Sequence, residues 1–546
     1  MFNAFGTLMV APQTVDDCYL WSQVSQWGMT GQCFRIFTTL FFAFGFAGAA
    51  ERPNVVLILA DDMGWGDVAH AGGKVATPHV DSLARDGMRF TDAHSPSAVC
   101  TPTRYALLTG RYSWRSRLKS GVLWPPAEPL ISPKRATIAS FLKGQGYETY
   151  VVGKWHLGLN WHRLPNGQKR EAETGPTKGP GWELDYTKQV RDGPLALGFA
   201  HDFLFPASLD MPPYVYLRDD VPVAVPSVTK AFKKPNRPGP AAADFEAENC
   251  LADFARESRA FVKTSAKAGK PFFLYLPLTS PHTPIVPAGR WQGKSDVGPY
   301  GDFVMETDWV VGEVLAELKE QKIAEKTVVI FSADNGCSPA AGIEKLQEKG
   351  HFPNGPWRGH KADIYEGGHR VPFLVRWPGQ VKAGSQSSRT ICLTDCFATI
   401  ADILNEKLPD KAAVDSFSIV SALRGESGKM ERAPVIHHSI NGSFAIRDGA
   451  WKLSLCPGSG GWSQPKPAKA LADESLSPVQ LFNLADDPKE TKNLATTEAD
   501  RVQSMASRLA QMIRAGRSTA GDDQRNDGWP DTFPKKVLEI LPQLIE

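Results

Sequence analysis

The chain has 546 residues, 61 Lys and Arg against 59 Asp and Glu, and a formal net charge of +2. That length exceeds one simple core and predicts two or more units. The near-neutral charge and ordinary globular composition exclude a protein built to bind nucleic acid or an anionic membrane surface.

Residues 1–50 read as an N-terminal segment. Within it, Arg35 precedes the apolar run Ile36–Phe46 and the small residues Ala47-Gly48-Ala49-Ala50. This pattern predicts a secretory signal peptide over residues 29–50, cleaved near Ala49 or Ala50, with Met29 as a candidate start. The run is short for a transmembrane helix, so the expectation is a secreted or periplasmic protein without stable membrane insertion. Cys18 and Cys33 fall in this segment. Cys100, Cys250, Cys337, Cys392, Cys396 and Cys456 remain, which is no dense disulfide framework. Cys392 and Cys396 leave two readings open: a pair, or packing on one helix face.

Residues 54–60 (Asn-Val-Val-Leu-Ile-Leu-Ala) form a continuous apolar run, as in a central parallel strand buried on both faces. Asp61 and Asp62 follow at once. Helices are predicted over 78–88 and 137–146, and a strand over 148–152 that runs into Gly153-Lys154-Trp155-His156. Residues 160–182 and 206–240 are rich in Pro, Gly and charge and read as long loops. A helix over 244–268 and a strand over 271–278 lead to Ser280-Pro281-His282. A helix over 301–322 and a strand over 326–333 lead to Asp334-Asn335-Gly336. This alternation predicts an α/β fold with a large doubly wound, mostly parallel sheet flanked by helices over 51–430. Short strands near 435, 443, 451 and 479, then a helix over 496–515, predict a smaller C-terminal antiparallel sheet plus helix over 431–520. Residues 521–546 read as a tail.

In open α/β sheets, ligands bind beyond the carboxyl ends of the strands. Asp61, Asp62, His282, Asp334 and Asn335 all follow predicted strands and should converge. Either Asp pair alone suits turn or helix-cap chemistry. Together they form a hard, oxygen-only set that favours Ca²⁺, with Mg²⁺ second, over zinc. Cys100 precedes a short helical pattern with Pro102 in its first turn. A thiol there feels the positive helix end, a setting that lowers its pKa.

The spelling Cys100-Thr-Pro-Thr-Arg104, continued as Leu107-Leu108-Thr109-Gly110-Arg111, resembles the maturation signature of the formylglycine-dependent sulfatases, an arylsulfatase-like branch of the alkaline-phosphatase superfamily. Leu59–Asp67 and Phe331–Gly336 resemble that family's two metal motifs. Gly153–Gly158 resembles its second signature, Trp357–Gly368 the stretch whose lysine grips sulfate, and Ser280-Pro281-His282 the stretch that supplies a proton donor. The resemblance implies that Cys100 is oxidised to formylglycine (3-oxoalanine) by a maturation enzyme and that Arg104 steadies the product. It also implies that Asp61, Asp62, Asp334 and Asn335 ligate one Ca²⁺ together with residue 100. Ser208 is expected to orient Lys154 or residue 100. Asp67 is read as structural. His437 and His438 suit either a substrate contact or a core role.

The implied mechanism is covalent catalysis with acid–base help. One hydroxyl of hydrated formylglycine attacks sulfur, while Lys154 and Lys361 stabilise the sulfuryl oxygens. His282 protonates the departing oxygen. His156 takes a proton from the second hydroxyl, which releases sulfate. The expected substrate is an aryl or carbohydrate sulfate ester, with a sulfated polysaccharide compatible with secretion and with tryptophans such as Trp114, Trp124, Trp155, Trp161 and Trp182. The alternatives are a formylglycine-dependent phosphonate or phosphate ester hydrolase and an inactive glycan-binding relative.

Overall fold

The computed structural model describes residues 52–233, 237–426, 428, 432–527 and 533–545. The signal-peptide reading, with Cys18 and Cys33, lies outside them. Arg52–Glu546 cluster as one unit. The large sheet has ten strands: β1 (Asn54–Asp61), β2 (Met88–Phe90), β3 (Glu148–Lys154), β4 (His201–Phe205), β5 (Leu217–Arg218), β6 (Val221–Pro222), β7 (Phe272–Pro281), β8 (Thr327–Ala333), β9 (Phe373–Arg376) and β10 (Ser385–Ser387). Their spatial order is β10-β2-β9-β8-β1-β7-β3-β4-β5-β6. The five central strands, β8 to β4, run parallel. Strands β9, β5 and β6 pair antiparallel with their inner neighbours.

Every residue of β1, β7 and β8 is buried. This is why these strands read as unbroken apolar runs: helices cover both faces of a parallel sheet, so no face is left to be polar. The flanking helices include α1 (Pro78–Asp86), α2 (Cys100–Thr109), α3 (Ile138–Gly144), α4 (Cys250–Ala268) and α5 (Pro299–Glu320). Helix α3 is closed by a capping box in which the Thr137 side chain accepts from Ser140 N–H. The predicted 244–268 helix begins later, at Cys250, because Ala247–Asn249 form a 3₁₀ turn first.

Several short strands lie inside the predicted 206–240 loop, Val228–Lys230 among them. Strands β5 and β6 form a hairpin turned by Asp219 and Asp220, both at positive φ (51° and 63°). This is the backbone a two-residue hairpin loop requires. Two-residue strands carry no periodicity, and Pro222 is tolerated because β6 is the sheet edge.

The second sheet is an antiparallel meander of β11 (Val435–His438), β12 (Phe444–Asp448), β13 (Trp451–Ser454) and β14 (Gln480–Asn483). Helix α6 (Ala499–Arg514) packs on it, burying Val502, Met505, Leu509 and Ile513. Phe533, Val537, Leu541 and Leu544 are buried in the same cluster, as are Tyr112 and Trp114 from the segment after α2. Residues 533–544 therefore help to form the core of this layer.

A buried ionic network lies between the two sheets. Glu366 accepts from Lys452 Nζ at 3.1 Å, Arg370 Nε at 3.0 Å and Arg447 Nη1 at 3.2 Å. Arg447 also pairs with Asp92 at 2.9 Å. His94, His369 and His437 sit within it, with His369 and His437 stacked at 3.7 Å. Lys452 Nζ meets His369 Nε2 at 3.0 Å, His369 Nδ1 meets His94 Nδ1 at 3.1 Å, and His94 Nε2 meets Asp92 at 2.8 Å. Burial holds all three imidazoles below their ordinary pKa, His94 at about 4, so they are neutral. His437 thus has a core role, and His438 is also buried, edge-on to Phe444.

Candidate active site

The carboxyl ends of β1, β3, β7 and β8 open on one edge of the sheet, where the N-terminus of α2 meets them. Asp61 ends β1 and Asp62 follows at φ 64°. Asp334 follows β8, its N–H donating to Ala60 O at 3.1 Å. Its Oδ1 accepts from Asp62 N–H at 3.1 Å. Asn335 Nδ2 donates to Asp62 Oδ1 at 2.7 Å. All four side chains are buried. Gly336 is required at the next position, because a Cβ there would lie 1.9 Å from the carbonyl oxygen of Gly367.

Cys100 is the first residue of α2, and ligand atoms of Asp61, Cys100 and Asp334 lie within 4.8 Å of one another. The Cys100 sulfur is 3.4 Å from His156 Nδ1. His156 Nε2 lies 2.9 Å from Leu123 O and must donate to it, so Nδ1 presents its lone pair to residue 100. Burial drives His156 well below its ordinary pKa, which keeps it neutral. Burial also pushes the Cys100 thiol up, and the Lys154 and Lys361 charges only partly oppose this. The expected helix-end depression of the thiol is therefore overturned, since desolvation of a thiolate outweighs a partial charge.

Lys154, the last residue of β3, donates to Asp61 and, at 3.2 Å, to Ser208 Oγ. Lys361 donates to Asp62 Oδ2 at 2.8 Å. Arg104 lies one turn into α2 and pairs with Asp334 Oδ2 at 2.7 Å, while its Nη1 donates to Lys154 O at 3.2 Å. Its guanidinium touches the acid cluster. His282 follows β7. Its Nδ1 is engaged by Thr283 O and, at 3.3 Å, by Ser208 Oγ, which leaves Nε2 facing the acids, 3.6 Å from Asp62 Oδ2. Ser208 thus bridges Lys154 and His282.

The structure brings all eleven residues singled out from the sequence into this one cluster. His156 sits at φ 54°, in the left-handed region. The turn aims the imidazole at Cys100, held by Thr101 Oγ1 donating to His156 O at 3.0 Å. Asp67 lies off the cluster, accepting from Tyr300 Oη–H at 2.6 Å and facing His351 Nε2 at 2.8 Å.

The electrostatics fit a hard cation. Burial pushes Asp61 up, and Lys154, His282, Arg104 and Lys361 outweigh it, so the carboxylate stays ionised. Burial and the adjacent Asp61 charge raise Asp334 to about 7. Asp61 Oδ1 and Asn335 Oδ1 are buried acceptors without a hydrogen-bond partner. Each such orphan costs about 1–3 kcal/mol. Three carboxylates and an amide oxygen, two with unused lone pairs, suit an oxygen-preferring cation. The His94–His369–His437 group is a poorer metal site, because two of its rings are stacked and most of its nitrogens are already paired.

Sequence reading missed Asp210, Arg237, Thr101 and the Leu123 carbonyl around this cluster. Asp210 lies two residues after Ser208 and was open to notice. The others act through backbone or across the fold and leave no local signal. All six described cysteines are buried free thiols, so Cys392 and Cys396 do not pair.

Comparison with known proteins agrees with this geometry. Residues 53–406 match the sulfatase family model. The N-acetylgalactosamine-6-O-sulfatase of Bacteroides thetaiotaomicron is 31% identical over 509 residues, covering 84% of this chain and 93% of its own. Arylsulfatase A of Bos taurus is 32% identical over 489 residues, covering 87% and 89%. A Bacteroides thetaiotaomicron structure from work on the metabolism of multiple glycosaminoglycans superposes with a TM-score of 0.72 at 29% identity, covering 85% of this chain and 99% of that one. With a mostly parallel ten-stranded sheet, an acid cluster at its edge and a cysteine that opens the adjoining helix, the chain belongs to the sulfatase family, the sulfuric ester hydrolases of the alkaline-phosphatase-like superfamily.

Proposed function

We propose that this enzyme releases inorganic sulfate from a carbohydrate or aryl sulfate ester, using formylglycine at position 100 and one Ca²⁺. The observation that carries the reading is the position of the Cys100 sulfur, within 4.8 Å of Asp61 and Asp334 oxygens and 3.4 Å from His156 Nδ1. That sulfur marks where an oxygen of the matured side chain would sit. The carbohydrate arm is supported by the galactosamine-6-sulfatase relative.

When bound, Ca²⁺ held by Asp61, Asp62, Asp334 and Asn335 supplies positive charge for the ester's oxygens and for residue 100. Formylglycine, as its hydrate, supplies one hydroxyl for attack on sulfur and a second whose deprotonation lets sulfate leave. The chain does the rest. Lys154 and Lys361 offer two ammonium groups to the sulfuryl oxygens, where charge grows in the transition state. His282, as the imidazolium with Nδ1–H held on Thr283 O, gives its Nε2 proton to the leaving oxygen and is left neutral. His156 receives a proton at Nδ1, and the imidazolium then donates from both nitrogens, with Nε2–H kept on Leu123 O. Arg104 offsets the negative charge of Asp334.

Signal-peptide removal over 29–50, export to the periplasm or medium, maturation by a formylglycine-generating enzyme, and a catalytic unit over 51–430 followed by a small C-terminal unit belong to the same proposal.

The test is mass spectrometry of the tryptic peptide Phe90–Arg104 from protein coexpressed with a formylglycine-generating enzyme. The expected result is a mass for aldehyde or hydrate at residue 100, with sulfate release by the same preparation and none by Cys100→Ala. Unmodified cysteine in a host that converts a control sulfatase, or wild-type-like turnover by Cys100→Ala, would overturn the reading.

A further inference from the structure

Trp124 is the most exposed described tryptophan, 52% accessible, although burying it would be worth about 2 kcal/mol or more. It is not on a free loop. Leu123, its neighbour, accepts from His156 through its carbonyl at 2.9 Å, and its N–H donates to Thr101 Oγ1 at 3.3 Å. The ring is therefore tethered to the residue after Cys100 and to the His156 imidazole. A second tether comes from the other side. The Arg237 guanidinium lies over the Trp124 ring, 4.3 Å from its centroid, and its Nη1 donates to Asp210 Oδ2 at 2.8 Å. Asp210 is two residues from Ser208, which contacts Lys154 and His282. Both tethers end on proton-handling groups, and the second ends on the residue that faces the leaving oxygen.

Asp210 is set up for a ligand. Oδ2 is used by Arg237, whereas Oδ1 is buried without a hydrogen-bond partner. Burial pushes its carboxyl up, but His282, Ser208, Lys154 and Arg237 together hold it below the ordinary range, so it is an ionised acceptor. Arg237 covers one face of the indole and is itself 48% exposed. The indole retains half its surface with that face covered, so its other face is open to solvent. An open indole face, an unused carboxylate oxygen and guanidinium donors offer what a pyranose ring takes: an apolar platform for its C–H face and polar partners for its hydroxyls.

We infer that Trp124, Arg237 and Asp210 form the leaving-group subsite, which binds the pyranose ring that carries the sulfate ester: Trp124 stacks on the sugar, and Asp210 and Arg237 hydrogen-bond its hydroxyls. The inference rests on the sulfatase reading above. It makes the enzyme a saccharide sulfatase, with aryl sulfates as poorer surrogate substrates that do not use the rim.

The experiment measures kcat and KM of matured wild type, Trp124→Ala, Trp124→Phe, Asp210→Asn and Arg237→Ala. The substrates are 4-nitrophenyl sulfate and the best substrate from a panel of sulfated mono- and disaccharides that includes galactosamine 6-sulfates. For Trp124→Ala, the saccharide KM should rise about tenfold or more with kcat within threefold, as when ground-state and transition-state binding are lost together. Trp124→Phe should recover most of that loss, and 4-nitrophenyl sulfate kinetics should change less than threefold. Asp210→Asn and Arg237→Ala should raise the saccharide KM in the same sense. Equal losses on both substrates, no loss on either, or a wild type that hydrolyses the aryl ester but no sulfated saccharide would each overturn the subsite. A matured wild type that hydrolyses neither class would instead overturn the underlying sulfatase reading.

Discussion

His156 Nδ1 faces the Cys100 sulfur at 3.4 Å while its Nε2 is tied to Leu123 O at 2.9 Å. The carbonyl fixes the tautomer, and burial keeps the ring neutral, so the free lone pair points at residue 100. His156→Ala should lower steady-state turnover by about 10²-fold or more. Because the base acts when sulfate leaves residue 100, alcohol release should show a first-turnover burst followed by a slow phase. Stopped-flow measurement on an aryl sulfate checks this. A loss of burst and steady rate together would place His156 in the first step.

His282 presents Nε2 to the acid cluster from the end of β7. A proton donor matters most when the departing oxygen is a poor leaving group. His282→Ala should therefore depress turnover of alkyl or sugar sulfates by about 10²–10⁴-fold, and that of 4-nitrophenyl sulfate much less. The check is the slope of log kcat against leaving-group pKa, which should steepen in the variant.

Asp61 Oδ1 and Asn335 Oδ1 are buried without a hydrogen-bond partner, as ligands of a cation would be. Adding Ca²⁺ to chelated enzyme should raise the melting temperature, by the equivalent of about 2.7 kcal/mol at a hundredfold excess over Kd. Asn335→Ala should weaken that rise, and Asp334→Ala should remove both the rise and activity. Differential scanning fluorimetry with and without chelator reads the first effect. Indifference of stability and rate to chelation would exclude the metal role.

Glu366 is surrounded by Lys452, Arg370 and Arg447 at 3.0–3.2 Å, all buried between the two sheets. Removing one member leaves a buried charge without its partner. Glu366→Ala should cost about 3–5 kcal/mol of stability, measured by denaturant unfolding. The paired apolar change Glu366→Leu with Lys452→Met should cost less than the sum of the single changes.

Asp202 and Asp220 are buried on adjacent segments. Asp202 is raised to about 8 by burial and by the Asp220 charge, and Asp220 to about 6 chiefly by burial. A folded-state pKa above the unfolded value near 3.8 means the native state holds the proton more tightly. Stability from this pair is fully present below about pH 4 and is lost as pH rises toward 8. Asp202→Asn should flatten that decline and stabilise the protein at pH 8 by about 1–3 kcal/mol. Melting temperature measured across pH 4–9 checks the sign.

The local parts of this enzyme are written in consecutive residues. β1, β7 and β8 are buried on both faces, so their apolar runs are legible without a partner, and the polar residues that end them must lie at one edge of a parallel sheet. Asp61, Asp62, His282, Asp334 and Asn335 were placed together by that rule, and Cys100 and Arg104 joined them through the resemblance of Cys100-x-Pro-x-Arg104 to the sulfatase maturation signature. The tertiary structure decided what depends on pairs far apart in the chain. It put a left-handed turn at His156. It raised the Cys100 thiol by desolvation that a helix-end argument does not contain. It left single oxygens of Asp61, Asn335 and Asp210 unpaired, and it set Arg237 over Trp124, 113 positions away in sequence. It also brought residues 533–544 into the second core. A strand or cap is specified by periodicity within a few residues. Burial, orphaned lone pairs and contacts between loops are set by the packing of the whole chain, which no local window records.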